Sequence, residues 1–314
     1  MKEVDVINKE TRHIQLMGTN IDLMVVHPES QRILNFLESL LNQYNMRFSA
    51  NNDASELMQI NAAAGTHAVR VHPEMFELIK LGKKHSLAKN SFLNIAIGPL
   101  IKLWRIGFED ARKPSQEEID KVLTIINPSL IELNEQEQTI YLAEKGMEID
   151  VGAIAKGYIA DRLVDYMKAE GVASGLVNLG GNLVTVGPAL NRSDYYWRIG
   201  VQNPLKSRGE SLLTLKIYNQ SVVTSGIYER KLVIGDEIYH HIFDEMTGYP
   251  VDSNIASITI IADQSVDCEI WTTRLFGLEP EEIIDVINRK RDIEGIVISK
   301  DGNYLGSNHI NLAS

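Results

Sequence analysis

Cysteine is almost missing from this 314-residue sequence: Cys268 stands alone. One thiol excludes a disulfide within the chain and a metal cage built from cysteines. Positive charge is also scarce, with 31 Lys and Arg against 42 Asp and Glu and a net charge of −11. A nucleic-acid binder needs a sustained basic surface to neutralise phosphates, and this chain has none. Its most basic runs, 80–84 and 289–291, are short and read as solvated helix faces. No apolar run is long enough to span a bilayer. The first residues, MKEVDVINKETRH, lack the apolar core of a signal peptide and contain no lipobox cysteine. As written, the chain is expected to be cytoplasmic, unless an export segment has been trimmed from it. With no internal repeat and no low-complexity linker, residues 1–314 read as one domain, or as two intimately packed lobes.

What is present is an ordinary globular composition, 44% hydrophobic and 23% charged. Residues 14–26 read as a strand pair broken at Gly18. A helix follows Pro28, with Ile33, Leu34, Leu37, Leu40, Leu41 and Tyr44 spaced like one buried face. Short helices are expected around Leu57–Ile60 and after Pro73, and Gly98-Pro99 marks a bend in the apolar run 91–104. Ser115 and Glu118 fit a capping box, and a hairpin spans Leu130–Leu142. After Gly171 strands are expected at 175–186, 196–202, 212–218, 231–243 and 256–262. Helices near Cys268 and from Pro280, then a hairpin at Asp301-Gly302, close the chain. The fold class is α+β, with a helix-rich first half and a strand-rich second half.

The stretch IDVGAIAKGYIAD, 149–161, reads as the end of a strand, a small-residue turn and a helix start. Gly152, Ala153 and Ala155 leave the backbone open to close approach, and Lys156 adds a cation where the helix dipole is positive. A plain, tightly packed turn would look the same. Four other segments cluster polar and small residues. NLGGN (178–182) suggests a bulge or a close approach to a ligand. TSGIYER (224–230) could equally be a turn with a surface ion pair. In YHHIFDEMTGYP (239–250), adjacent His240 and His241 point to opposite faces, so one at most faces a site. Glu269 and Thr273 are four apart on one helix face and, with a backbone carbonyl, would make an oxygen set that suits Mg²⁺; on spacing alone an exposed Glu beside a helix-buried Thr is the stronger reading.

The order of these segments resembles the ApbE family of flavin transferases. The likeness is carried by MGT (17–19), SANNDASELMQIN (49–61), FLNIAIGPLIKLW (92–104) and IDVGAIAKGYIAD. It continues through NLGGN, TSGIYER, HIFDEMTG (241–248) and the Glu269–Thr273 helix. The resemblance implies a T-fold-like α+β enzyme that cleaves FAD with Mg²⁺, moves FMN to a threonine hydroxyl and releases AMP. The acceptor would be a flavoprotein carrying a segment of the type Asp-(Gly/Ala)-x-(Gly/Ala)-Ala-Thr. Carried over position by position, Met17, Asn51, Phe92, Leu93, Asn94, Asp150 and Lys156 would line the FAD site. Ser225, Gly226 and Arg230 would shape its floor, with Arg230 pairing either Glu229 or phosphate. The Ala153 carbonyl, Glu269 and Thr273 would hold Mg²⁺ with Thr272 near, and His241 would be the catalytic base.

The chain departs from the family pattern where Glu269 and Asn94 replace a usual Asp, and where Asn51 stands at a position that is Tyr in some members. Asn51 cannot stack on a flavin or adenine ring. Two other readings are therefore carried: an FAD pyrophosphatase with water as acceptor, and a non-catalytic FAD-binding protein.

Overall fold

The computed structural model describes residues 8–313. The reading of the first residues as too polar for a signal peptide falls largely on 1–7, outside the described residues. In chain order come β1 (Asn8–Leu16), β2 (Thr19–His27), α1 (Ser30–Phe48), α2 (Glu56–Ala62), β3 (Val69–Arg70), α3 (Pro73–Ser86), α4 (Gly98–Trp104) and α5 (Gln116–Leu123). They are followed by β4 (Ile131–Asn134), β5 (Thr139–Leu142), α6 (Ala155–Ala169), β6 (Ser174–Leu179), β7 (Asn182–Val186), β8 (Trp197–Gln202) and β9 (Ser211–Ile217). The last are β10 (Ser221–Gly226), β11 (Lys231–Ile234), β12 (Glu237–His240), β13 (Ile255–Ala262), α7 (Ser265–Leu275), α8 (Pro280–Asn288), β14 (Ile293–Ser299) and β15 (Tyr304–Gly306).

Eight strands form one sheet in the order β1-β2-β6-β7-β10-β13-β14-β15, every neighbouring pair antiparallel. Helices α1, α6, α7 and α8 pack on it, and the separate β8–β9 ribbon adds an apolar cluster with β10, β13 and β14. Strand β13 shows the consequence: all eight of its residues are buried. Ile258 and Ile260 belong to the cluster under α7 and α8, while Ile261 belongs to the one under β8–β9. A strand covered on both faces is buried along its whole length rather than at alternate residues, and Ser257 and Thr259 are enclosed with its aliphatic side chains.

The arrangement is α+β, but it is not assembled as a helical half against a sheet half. Strands β1 and β2 enter the same sheet as the late strands, and α6, α7 and α8 supply much of its helical cover. The expected helix after Pro28 is α1, whose predicted stripe is buried at Ile33, Leu34, Leu37, Leu41 and Tyr44 and half-buried at Leu40. Ser115 and Glu118 close the capping box at the start of α5.

Two local expectations are corrected. Residues 147–151 form no strand; they make a single parallel bridge, Ile97 to Glu148. The Asn61 amide takes the place of a neighbouring strand, donating to Ile149 O (3.0 Å) and accepting from Ile149 N (2.8 Å). The run 175–186 is two strands. Gly180 and Gly181, at φ +63° and +106°, turn the chain between them, a conformation that a side chain resists.

Among the described residues no helix is long and apolar enough to cross a membrane.

Candidate active site

The site is built where the N-terminus of α6 meets α7. Gly157 makes this approach possible, because a Cβ there would collide with the backbone of Ser265 and Val266. One turn on, the buried Asp161 carboxylate accepts from Ser265 N (2.7 Å) and Val266 N (2.9 Å). It thereby satisfies orphan amides at the start of α7 from a neighbouring helix. Burial raises its pKa to about 6, against the pull of those two amides.

With the helices fixed, Glu269 reaches back to α6. It is 4% exposed and its two oxygens are both engaged: Oε1 with Lys156 Nζ at 2.6 Å, Oε2 with the Gly157 amide at 2.6 Å. Lys156 Nζ also stands 3.5 Å from the Gly152 carbonyl. Because the Gly157 amide turns to Glu269, no described amide reaches the Ala153 carbonyl four residues earlier, and Ala153 is exposed. Thr273, one turn after Glu269, is half-buried. A carboxylate, an uncommitted carbonyl and a hydroxyl fit a hard divalent cation, and an ammonium already seated on that carboxylate shows that the place favours positive charge. Among the described residues no group of three or more His, Cys, Asp or Glu could hold a metal, as expected for a set with a single carboxylate. Thr272 is fully buried and its hydroxyl is spent, donating to Glu269 O (3.0 Å) and accepting from Ser225 Oγ (2.9 Å).

Beside this junction lies Asp150. Its Oδ1 accepts from Gly152 N (2.7 Å) and its own amide donates to Ile95 O (2.9 Å), tying the turn to the 91–97 loop. Burial raises its pKa, opposed by Gly152 and by the Arg230 charge. Arg230 follows the end of β10, and its side chain lies against Gly107. Among the described residues it makes no ion pair with Glu229. Its carbonyl is 3.3 Å from His241 Nδ1.

His241 and His240 part as strand alternation requires. His240 is buried and bonds Val251 O at 2.9 Å, whereas His241 is half-buried just past β12. Burial lowers the His241 pKa to about 4, and the charges of Arg230 and Lys156 push the same way. The ring is therefore neutral at physiological pH. Since a carbonyl only accepts, Nδ1 carries the hydrogen and Nε2 keeps a lone pair. The segment bearing His241 is held by Trp104, which donates to Gly248 O at 2.9 Å and packs on Tyr239, Phe243 and Tyr249.

The remaining expected residues divide. Met17 occupies the β1–β2 turn at φ +53°, next to the Gly180-Gly181 turn, so MGT and NLGGN meet in space. Asn51 is exposed, its amide bonded to Ser49 Oγ. Phe92 packs against the cluster under α7, and Leu93 is in the main core. Gly226 is buried at the end of β10, against the Tyr228 ring. Asn94 is buried, with Oδ1 accepting from Ala96 N (2.7 Å) and Nδ2 donating to Ile126 O (2.8 Å) and to Glu245. Its bonding capacity is largely used inside the protein. Glu245, whose pKa burial raises, is the carboxylate beside it. Glu245, Asn61 and Asp161 were not foreseen. Each belongs to a segment that stood out in the sequence, but its partner is distant along the chain.

The ApbE family model matches residues 17–297. The chain belongs to the ApbE family. An FAD:protein FMN transferase of Klebsiella pneumoniae (strain 342) is 39% identical over 91% of this chain and 88% of its own. One from Treponema pallidum (strain Nichols) is 32% identical, over 84% and 76%. The crystal structure of the ApbE protein of Thermotoga maritima superposes with a TM-score of 0.87 at 25% identity, covering 96% of this chain and 97% of that one. The family's segments at 149–161 and 269–273 meet at the α6–α7 junction, and His241 lies at the base of the β11–β12 hairpin.

Proposed function

We propose that the chain transfers FMN from FAD to a threonine hydroxyl of an acceptor flavoprotein, with Mg²⁺ and release of AMP. The observation that carries this reading is His241 itself, its Nδ1 3.3 Å from Arg230 O and its ring facing the charge of Lys156, the residue paired with Glu269. The relatives, FAD:protein FMN transferases, supply the reaction class.

The threonine oxygen attacks the FMN-side phosphorus, and the bond to the bridging oxygen breaks, so AMP leaves with that oxygen. The hydroxyl proton passes to His241 Nε2, whose lone pair is kept available by the Nδ1 contact with Arg230 O. Arg230 and the α6 N-terminus lower the cost of gathering negative pyrophosphate there. The Ala153 carbonyl, Glu269 and Thr273 would hold Mg²⁺, which when bound neutralises charge on the phosphate oxygens. A pKa near 4 makes His241 a weak base in the free protein. A bound pyrophosphate, being anionic, raises it toward the working range. The acceptor threonine is expected in a segment of the Asp-(Gly/Ala)-x-(Gly/Ala)-Ala-Thr type.

The test is to incubate the protein with FAD and Mg²⁺, with and without a flavoprotein domain carrying such a segment. AMP release and acceptor mass are followed together. FMN gained by the acceptor in step with AMP supports transfer. AMP and free FMN independent of acceptor would make the protein a pyrophosphatase, and intact FAD throughout would leave only a binding protein.

A further inference from the structure

We infer that Lys156 is a built-in placeholder for the metal: its ammonium occupies the cation position on Glu269 and must leave for a divalent ion to bind. The inference rests on the metal half of the proposed function and adds a coupling that the reaction itself does not require.

Glu269 is 4% exposed, and a buried carboxylate needs compensation whether or not a metal is present. The Gly157 amide serves Oε2, and Lys156 Nζ serves Oε1 at 2.6 Å. The ammonium also lies 3.5 Å from the Gly152 carbonyl, so it bridges a carboxylate and a backbone oxygen much as a hard cation does. The carbonyl expected to bind metal, Ala153, is the next residue. A divalent ion drawn to Glu269, the Ala153 carbonyl and Thr273 would meet the ammonium at close range. Two cations that near in a poorly solvated place repel strongly, so occupancy is exclusive.

Lys156 can leave. Its side chain is 30% exposed, whereas Glu269 is enclosed, so the lysine is the mobile partner. Once displaced, a flexible ammonium at the first turn of α6 is available to an anionic phosphate. Metal binding then frees the cation that a nucleotide needs, and nucleotide binding holds that cation away from Glu269. The two ligands assist each other by linkage, without any movement of the fold.

The experiment uses Mn²⁺ alone as the probe, read by electron paramagnetic resonance without nucleotide, on the full chain. Lys156→Met removes the competing cation and is expected to bind Mn²⁺ about 5- to 100-fold more tightly than the wild type. Lys156→Arg restores a tethered cation and is expected to return affinity toward the wild-type value. Glu269→Gln is expected to bind little or none. If the methionine variant fails to fold, Lys156→Gln gives the same comparison with a neutral side chain that can still donate to Glu269. Loss of binding in Glu269→Gln with unchanged or weaker binding in the lysine variants would overturn the placeholder while leaving the metal site standing. Equal binding by wild type and Glu269→Gln, or none by either, would overturn the metal site and the placeholder with it.

Discussion

The two sides of the site are made differently. The α6–α7 side is buried and cross-bonded: Asp161 fixes the α7 amides and Glu269 is held from α6. The β11–β12 side is a two-stranded ribbon apart from the main sheet, with Val233 55% and Ile238 64% exposed. It is anchored at its base by packing on Trp104. A place that gathers charge gains from rigid, dry surroundings, where dipoles need not reorganise. A base that must meet a second protein gains from standing at the root of an exposed element. Under the proposed function, charge compensation falls to the helices and acceptor access to the ribbon.

Removing the ribbon's anchor should have the largest effect on stability. Trp104 is fully buried, and Trp104→Ala should cost about 3–5 kcal/mol in urea unfolding. The same variant should impair transfer beyond its effect on FAD binding, because the loop bearing His241 loses its support. Unchanged transfer in a folded variant would show that the ribbon side needs no anchoring.

Asp161→Ala should cost about 1–3 kcal/mol by leaving the α7 amides unpaired. The carboxylate also gives the wild type a pH signature. Its folded pKa of about 6 lies above the unfolded value of about 3.9. The proton is therefore held more tightly in the folded state, and this contribution to stability is full below the unfolded pKa. It is lost as pH rises to about 6 and is level beyond. Melting curves of wild type and Asp161→Asn across that range should differ in slope; parallel curves would remove Asp161 from the balance.

A smaller effect is expected in the pH profile of transfer. His241 must be neutral, so kcat/KM for FAD should rise with pH through about 4 and then level off. The kcat profile should turn at higher pH, since bound pyrophosphate stabilises the protonated ring. Coincident profiles would mean that the pyrophosphate does not lie beside His241. At the low end, Ile238→Ser on the exposed ribbon should change stability by no more than about 0.5 kcal/mol. Its rate with a protein acceptor is the sensitive readout, and a change there would mark the ribbon as a contact for the acceptor.

Local chemistry was legible in the sequence and long-range pairing was not. The α1 stripe and the Ser115–Glu118 box depend on residues three and four apart, and the Gly235-Asp236 turn on neighbours. The residues 147–151 look like a strand because they alternate, yet a side-chain amide 88 positions away supplies their ladder. Within the site, the segments could be read but not the duties of each atom. Thr272 and Thr273 are chemically alike in sequence; only the helix rotation and Ser225 separate a spent hydroxyl from an available one. Asn94 likewise looks ready for a ligand until Ile126, Ala96 and Glu245 are seen to engage it.

The most direct measurement compares wild type with His241→Ala, given FAD, Mg²⁺ and the acceptor domain. Bound FAD is read by fluorescence and acceptor mass by mass spectrometry in the same samples. The account predicts equal FAD binding, with the FMN adduct formed by the wild type and slowed about 100-fold or more in the variant. Adduct formation at the wild-type rate in His241→Ala would contradict it.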